Sequence, residues 1–218
     1  PWDNLKFDPA GVQEVSRKLF ATLYNTYSFF ALYANVDGFD NSQPQVALEN
    51  RPEIDRWIIS LLNTLVKDVD EALNDYEPTK AARAINDFVN DNLSNWYVRL
   101  NRKRFWGGEM NEDKLSAYQT LYTCLETIAK LIAPISPFYA DKLYQDLAGA
   151  GSVHLALFPE VNESAIDKAL ENRMNIAQVI TSMVLSLRRK VNIKVRQPLS
   201  TLMIPVMDDA QREAIESM

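Results

Sequence analysis

Apolar residues recur at intervals of three and four positions along most of this 218-residue chain. At about 100° per residue, that spacing collects them on one face of an α-helix. Segments rich in proline, glycine and asparagine interrupt the pattern, and such residues begin or end helices. We therefore predict an all-α helical bundle with helices at about residues 10–35, 52–76, 78–106, 111–133, 136–147 and 164–190.

Beyond residue 190, apolar residues occupy alternate positions: Val191, Ile193 and Val195, then Leu202, Ile204 and Val206. Alternation predicts two short strands, and the polar residues from Asp208 onward favour the start of a helix. We accordingly divide the chain into a lead-in segment at residues 1–9, the helical bundle at residues 10–190 and the start of a small α/β C-terminal unit at residues 191–218.

The same periodicity predicts which side chains form the core. The first helix would bury Val12, Val15, Leu19, Leu23, Tyr27, Phe30 and Ala34, and the third would bury Ala81, Ile85, Val89, Trp96 and Leu100. Phe138 should point inward from the fifth helix, and the apolar residues of segment 152–161 should lie against the bundle. Cys124 should be buried, and His154 is expected to be structural because no catalytic partner is identifiable.

The end of the third predicted helix is strongly basic. Four cations and no acidic residue lie between Trp96 and Trp106. One or two cations would offset the helix dipole, but four repel one another unless an anion lies nearby. Aromatic residues lie on both sides of these cations and could stack on bases. The run therefore favours a contact with nucleic acid.

Charge is distributed unevenly along the chain, whose net charge is −6. Segment 96–106 carries four cations and segment 181–198 carries five, and neither contains an acidic residue. Apart from these nine cations, 14 basic residues face 29 acidic ones, so the rest of the chain carries a net charge of −15. Because the acidic remainder repels a polyanion, this pattern favours binding in one orientation.

Composition argues against several other classes of protein. One cysteine and one histidine exclude a disulfide framework and a zinc site, and they indicate a reducing compartment. No segment has the ~18 apolar residues that a membrane span needs. A hydrolase is the least favoured of the functions considered, because no nucleophile and base are identifiable. Pro1 is not a natural start, so we expect a piece of a longer protein.

Several segments resemble the isoleucyl-tRNA synthetases, which are class I aminoacyl-tRNA synthetases. They are NLKFD (4–8), TLYNTYSFFALYANVDGF (22–39), RPEIDRWIISLLN (51–63), LSNWYVRLNRKRFW (93–106), the API and PF of 133–138, and RQPL (196–199). The WYVR-x-x-RKRFW run is the most specific, whereas RWI and API-PF are shared with valyl and leucyl enzymes. The region resembled is the anticodon-binding helical bundle that follows the catalytic domain.

The resemblance implies that the parent enzyme joins isoleucine to its tRNA with ATP and Mg²⁺. We expect a cytoplasmic, monomeric protein. The HIGH and KMSKS motifs are absent from the sequence, so this segment should neither adenylate nor edit, and it should hold no cofactor or metal. Its expected partner is the anticodon stem-loop of isoleucine tRNA.

Phosphates and splayed loop bases are what a protein recognises in such an RNA. The expected contacts are Asn95, Trp96, Arg99, Arg102, Lys103, Arg104, Trp106, Arg188, Arg189, Lys190, Lys194 and Arg196, with Tyr97 and Asn101 as further base-contacting candidates. Trp96 also fits a purely structural role. Replacing Arg99 or Arg104 by glutamate should weaken tRNA binding without unfolding the bundle. The alternatives are a valyl- or leucyl-tRNA synthetase domain and a helical protein-interaction module without RNA.

Overall fold

A computed structural model describes residues 7–149 and 151–216. Chain contacts divide it into two compact units, one up to Ile166 and one from Asp167 onward. The helices of the first unit are α1 (Pro9–Val15), α2 (Ala21–Asp37), α3 (Glu53–Asn74), α4 (Pro78–Asp87), α5 (Arg99–Phe105), α6 (Glu112–Ile132) and α7 (Pro137–Ala148). Those of the second are α8 (Lys168–Lys190) and α9 (Asp209–Glu216). The predicted all-α bundle is confirmed.

The core of the first unit lies between α3, α6 and the helical run that contains α4 and α5. α3 packs against α4 and α6, and α6 packs against α5 and α7. Aromatic rings join α2 and α5 to α6, because Phe105 meets Tyr118 edge-on at 4.9 Å and Phe29 at 5.2 Å between ring centroids. Such edge-to-face pairs add to the stabilisation from burial. They fix the basic end of α5 on the bundle.

Two helices contain π-helical segments, in which each turn holds more residues than an α-turn. Ser16–Phe20 joins α1 to α2, and Phe88–Val98 joins α4 to α5, so Pro78 to Phe105 is one continuous helical run. The wider turns of the second segment rotate the apolar face. Tyr97 is therefore fully buried, whereas Leu100, expected in the core, is 57% exposed.

The second unit contains α8, a turn-rich loop and α9. The two predicted strands at 191–195 and 202–206 are wrong, because residues 191–208 form turns, bends and irregular chain without a strand. A short hairpin is at best marginally stable alone, and Pro198 and Pro205 each lack a backbone donor. The break between the units precedes α8, whereas we expected a boundary near Val191.

Some predicted core positions are exposed. Val12 and Val15 face outward from α1, and Phe138 at the start of α7 is 92% exposed. Val12 and Val15 lie in the short helix α1, and Phe138 lies in the first turn of α7, where few neighbouring elements cover them. In segment 152–161 Val153 is buried, but Leu155 and Leu157 are exposed. Cys124 is buried as predicted, and burial raises the pKa of its thiol. The lead-in segment falls largely at residues 1–6, outside the described residues.

Candidate nucleic-acid interface

Three of the four cations in segment 96–106 face solvent. Arg99, Arg102 and Lys103 are exposed on α5. None of the three makes a salt bridge or side-chain hydrogen bond with any residue in the described part of the chain. Their charges are therefore available to an external anion. They lie within five residues of one another, so a single ligand could meet all three.

The fourth cation, Arg104, points into the bundle, and its side chain is only 14% exposed. Its Nη1 and Nη2 atoms donate to the two carboxylate oxygens of Asp55 at 2.7 and 2.9 Å. It also donates to the Asp113 carboxylate from Nε at 3.1 Å. Bidentate pairs of this kind are strong and directional. The expectation that Arg104 presents its charge to RNA thus differs from the structure, which commits that charge to Asp55.

Asp55, the fully buried partner of Arg104, is satisfied from three sides. Tyr97 donates its hydroxyl to Oδ1 at 2.8 Å, and Ser116 donates to Oδ2 at 3.0 Å. Burial, together with the nearby carboxylate, raises the pKa of Tyr97, so the phenol stays protonated and can donate. Burial lowers the pKa of Arg104, but the hydrogen bond and charge of Asp55 raise it by more. This network ties α5 to α3 and α6.

The polar and aromatic candidates also separate into exposed and buried groups. Asn95 is exposed, Trp106 is 52% exposed, and Trp96 is half-buried, so all three are accessible from solvent. Tyr97 and Asn101 are buried. The Asn101 side chain donates to the Tyr97 carbonyl at 2.7 Å and accepts from Arg104. As candidates for contacting bases, Tyr97 and Asn101 are therefore wrong, because both serve the Arg104 network.

The loop after α5 is fastened to α6 by a second buried cation, Lys114. Its Nζ donates to the carbonyl oxygens of Gly107 at 3.1 Å and Gly108 at 3.4 Å, and it forms an ion pair with Asp37 at 2.6 Å. Burial opposes ionisation of Asp37, but hydrogen bonds from Lys114 and Tyr118 lower the pKa of its carboxyl. The loop that follows the exposed cations is thereby held in place.

The second group of predicted cations lies at the end of α8 and in the loop behind it. Arg188 donates from Nη1 to the carbonyl oxygens of Lys194 at 2.8 Å and Gln197 at 2.9 Å, so its guanidinium closes that loop. Four other cations of this group are exposed and make no side-chain ion pair with described residues, namely Arg189, Lys190, Lys194 and Arg196.

Sequence reasoning missed the buried charges that organise the interface. Asp55 lies in the first turn of α3, where an acidic residue already suits the helix dipole, so nothing in the pattern singled it out. Lys114 lies near the start of α6, where a cation does not suit the helix dipole, and its burial was also missed. A signal was nevertheless present, because Asp55 lies between the apolar Ile54 and Trp57, on the side that the helix buries.

Histidine, cysteine and acidic side chains form no group of three able to hold a metal ion within residues 7–149 and 151–216. None of the helices described is both long and apolar enough to cross a membrane.

A helical unit that exposes a row of unpaired cations beside accessible aromatic rings has the features of a nucleic-acid-binding domain. A family model described as the anticodon-binding domain of tRNA ligase matches residues 55–203, and the chain belongs to that family. The predicted anticodon-binding bundle is thus confirmed at the level of the family. The matched segment includes both groups of cations.

The chain is also similar to curated proteins named isoleucine–tRNA ligase. It is 69% identical to the one from Bacteroides fragilis, with 100% of this chain and 20% of that protein aligned. It is 68% identical to the one from Porphyromonas gingivalis, over 100% of this chain and 19% of that protein. For the one from Cytophaga hutchinsonii the identity is 60%, over 100% and 20%. The chain thus spans about a fifth of the length of these relatives.

Proposed function

We propose that this chain recognises the anticodon stem-loop of isoleucine tRNA as part of an isoleucine–tRNA ligase. The sequence identity of 69% to a relative of that name supports the choice of tRNA. The chain itself would be non-catalytic, because its sequence contains neither a HIGH nor a KMSKS motif. Ligation of isoleucine with ATP and Mg²⁺ would be the work of other parts of the ligase. We place such a ligase in the cytoplasm, where tRNA is used, and its monomeric state stays a prediction.

The observation that carries the proposal is the unpaired charge of Arg99, Arg102 and Lys103. Placing like charges side by side costs free energy, and no described residue forms an ion pair with any of the three. Phosphates would offset it, and each neutralised phosphate releases counterions that favour binding. These contacts would set affinity and register on the RNA, since phosphate contacts carry no direct sequence information.

Discrimination between tRNAs would come from the accessible side chains beside these cations. Trp106 offers an exposed ring on which a base can stack, and Asn95 offers an amide for a base edge. Trp96 is half-buried and would contribute only its outer edge. Arg104 would act indirectly, by holding α5. In the second unit, Arg189, Lys190, Lys194 and Arg196 would add phosphate contacts, with Arg188 shaping their loop.

Fluorescence anisotropy with a labelled stem-loop of isoleucine tRNA, at two salt concentrations, tests the proposal. A second RNA carries a changed anticodon, and two others carry the anticodon loops of valine and leucine tRNA. Arg99→Glu should weaken binding, whereas Arg83→Glu should not. Arg83→Glu makes the same charge change on the same helical run, at an exposed residue that precedes Arg99 by several helical turns.

Salt-sensitive binding that falls with the changed anticodon supports an anticodon reader. Preference for the valine or leucine loop would instead assign the chain to one of those ligases. Binding that ignores the anticodon would leave only phosphate contacts. Absence of salt-sensitive binding would contradict the proposal and favour a protein-interaction module, whose apolar contacts depend little on salt.

A further inference from the structure

A cleft of about 570 Å³ lies beside the exposed cations, between the end of α5 and the start of α6. Cavities that enclose small ligands span roughly 300–1,000 Å³, so its volume suits one nucleotide. The phosphate contacts proposed for α5 leave the function of this cleft unexplained. Its lining includes Lys103, Gly107, Gly108, Met110, Asn111 and Lys114.

Two side chains of the lining, Lys103 and Asn111, carry donors without a partner among the described residues. Lys103 has no partner among the described residues. Asn111 caps α6, and its Oδ1 accepts from the backbone N–H of Lys114 at 2.8 Å. Because that bond fixes which end of the amide faces the helix, the Nδ2 group points away from it and has no described partner. The cleft therefore presents donors to whatever enters it.

The remaining charges of the lining are already neutralised or acidic. Arg104 pairs with Asp55 and Asp113, and Lys114 pairs with Asp37. Glu109 also lines the cleft and is exposed. A run of several phosphates would meet that carboxylate and too few free cations. A single uncharged base, with acceptor atoms on its edge, fits this lining better.

The floor of the cleft suits a flat, partly apolar group. Met110 is 37% exposed and offers a polarisable thioether for contact with a ring. Gly107 and Gly108 both have positive φ, and no atom lies within 4 Å of the position that a Cβ would occupy. Their carbonyl oxygens are held by Lys114, so the loop keeps the cleft open without a ligand.

We propose that this cleft receives one unstacked nucleotide of the anticodon loop, with its base against Met110 and its acceptor atoms facing Lys103 Nζ and Asn111 Nδ2. This inference rests on the proposed function and adds a place where one base is read. Paired nucleotides of the stem stay stacked and cannot enter, so the cleft distinguishes the loop from the stem.

The test uses stem-loop RNAs that carry the fluorescent base 2-aminopurine at each loop position in turn. Base fluorescence reports stacking at that position, and anisotropy of an end label reports binding. Binding of the unaltered chain should change the fluorescence at one loop position. Asn111→Asp should abolish that change and weaken stem-loop binding about tenfold, because the substitution removes a donor and adds a negative charge facing the acceptor atoms of the base. Aspartate is an equally good N-cap, so α6 should remain intact.

Arg99→Ala is the matched control, since it removes a cation outside the cleft lining. It should lower affinity and leave the positional fluorescence change in place. Lys103→Ala changes an exposed residue, and like Asn111→Asp it should abolish the fluorescence change and weaken stem-loop binding. If both cleft variants bind RNA and keep the fluorescence change, the cleft is not the site, while the proposed function stands. If the unaltered chain binds no stem-loop, the proposed function fails and the cleft inference fails with it.

Discussion

At the scale of single residues, Arg102 and Arg104 show how neighbours of the same type take different roles. Both lie in one basic run, and both were expected to contact RNA. Arg102 is exposed and unpaired within the described structure, whereas Arg104 forms a bidentate ion pair with the buried carboxylate of Asp55. A buried ion pair need not add net stability, but removing one partner leaves the other charge unpaired. Loss of Arg104 should therefore affect stability, whereas loss of Arg102 should affect RNA binding.

Replacing Arg104 by alanine should lower the free energy of unfolding by about 3–5 kcal/mol, because Asp55 would remain buried without its cation. Arg102→Ala should change it by less than about 0.5 kcal/mol, as for most surface substitutions. Urea unfolding followed by circular dichroism measures both. The earlier expectation that Arg104→Glu leaves the bundle folded is revised accordingly. A stable Arg104→Ala variant with weakened RNA binding would restore a direct contact.

At the scale of elements, the π-helical segment Phe88–Val98 decides which face of the basic helix meets the core. Regular α-helical spacing from Ala81 and Ile85 leads to Trp96 and Leu100. The wider π-turns bury Leu93, Tyr97 and Phe105 instead. The existence and direction of this helix were predictable from its period, but its phase was not. π-turns depend on packing against neighbouring elements, here α2 and α3, and no local residue type indicates where they occur.

Two leucines on this run test the phase. Leu93 is 0% exposed and Leu100 is 57% exposed. Leu93→Ala should therefore cost about 2–5 kcal/mol of unfolding free energy, through lost burial and a residual cavity. Leu100→Ala should cost less than about 1 kcal/mol, since alanine favours the helix and little burial is lost. Chemical denaturation of the two variants compares them directly. Equal costs for the two variants would mean that the run is a regular α-helix in solution, because residues seven positions apart then lie on the same face.

Across the chain as a whole, exposed positive charge is concentrated in two short segments of an otherwise acidic sequence. The uneven distribution was evident from the sequence, and each segment is exposed in its own unit. Attraction at these segments and repulsion elsewhere would orient a polyanion. The effect depends on where the charges lie and not on the net charge of −6.

Two double variants with the same net charge distinguish the effect of charge position from the effect of net charge. Replacing Arg99 and Arg102 by alanine should reduce the slope of log affinity against log salt by about 1.4 to 1.8, if each contacts one phosphate. Replacing Lys80 and Arg83, which are exposed on α4, should leave the slope unchanged. Anisotropy titrations over a series of salt concentrations give both slopes. Equal reductions would show that only net charge matters.

By itself, the sequence determined the all-α architecture, most helix positions and the two basic segments, because periodicity, helix-ending residues and charge are local properties. Its motifs also indicated the anticodon-binding family. The tertiary structure alone decided that Arg104 and Arg188 are engaged within the protein while Arg99, Arg102 and Lys103 are free. That choice depends on contacts such as Arg104 with Asp55, 49 positions apart, and on burial, which no local pattern encodes. A charge becomes a binding group only where folding leaves it solvated and unpaired.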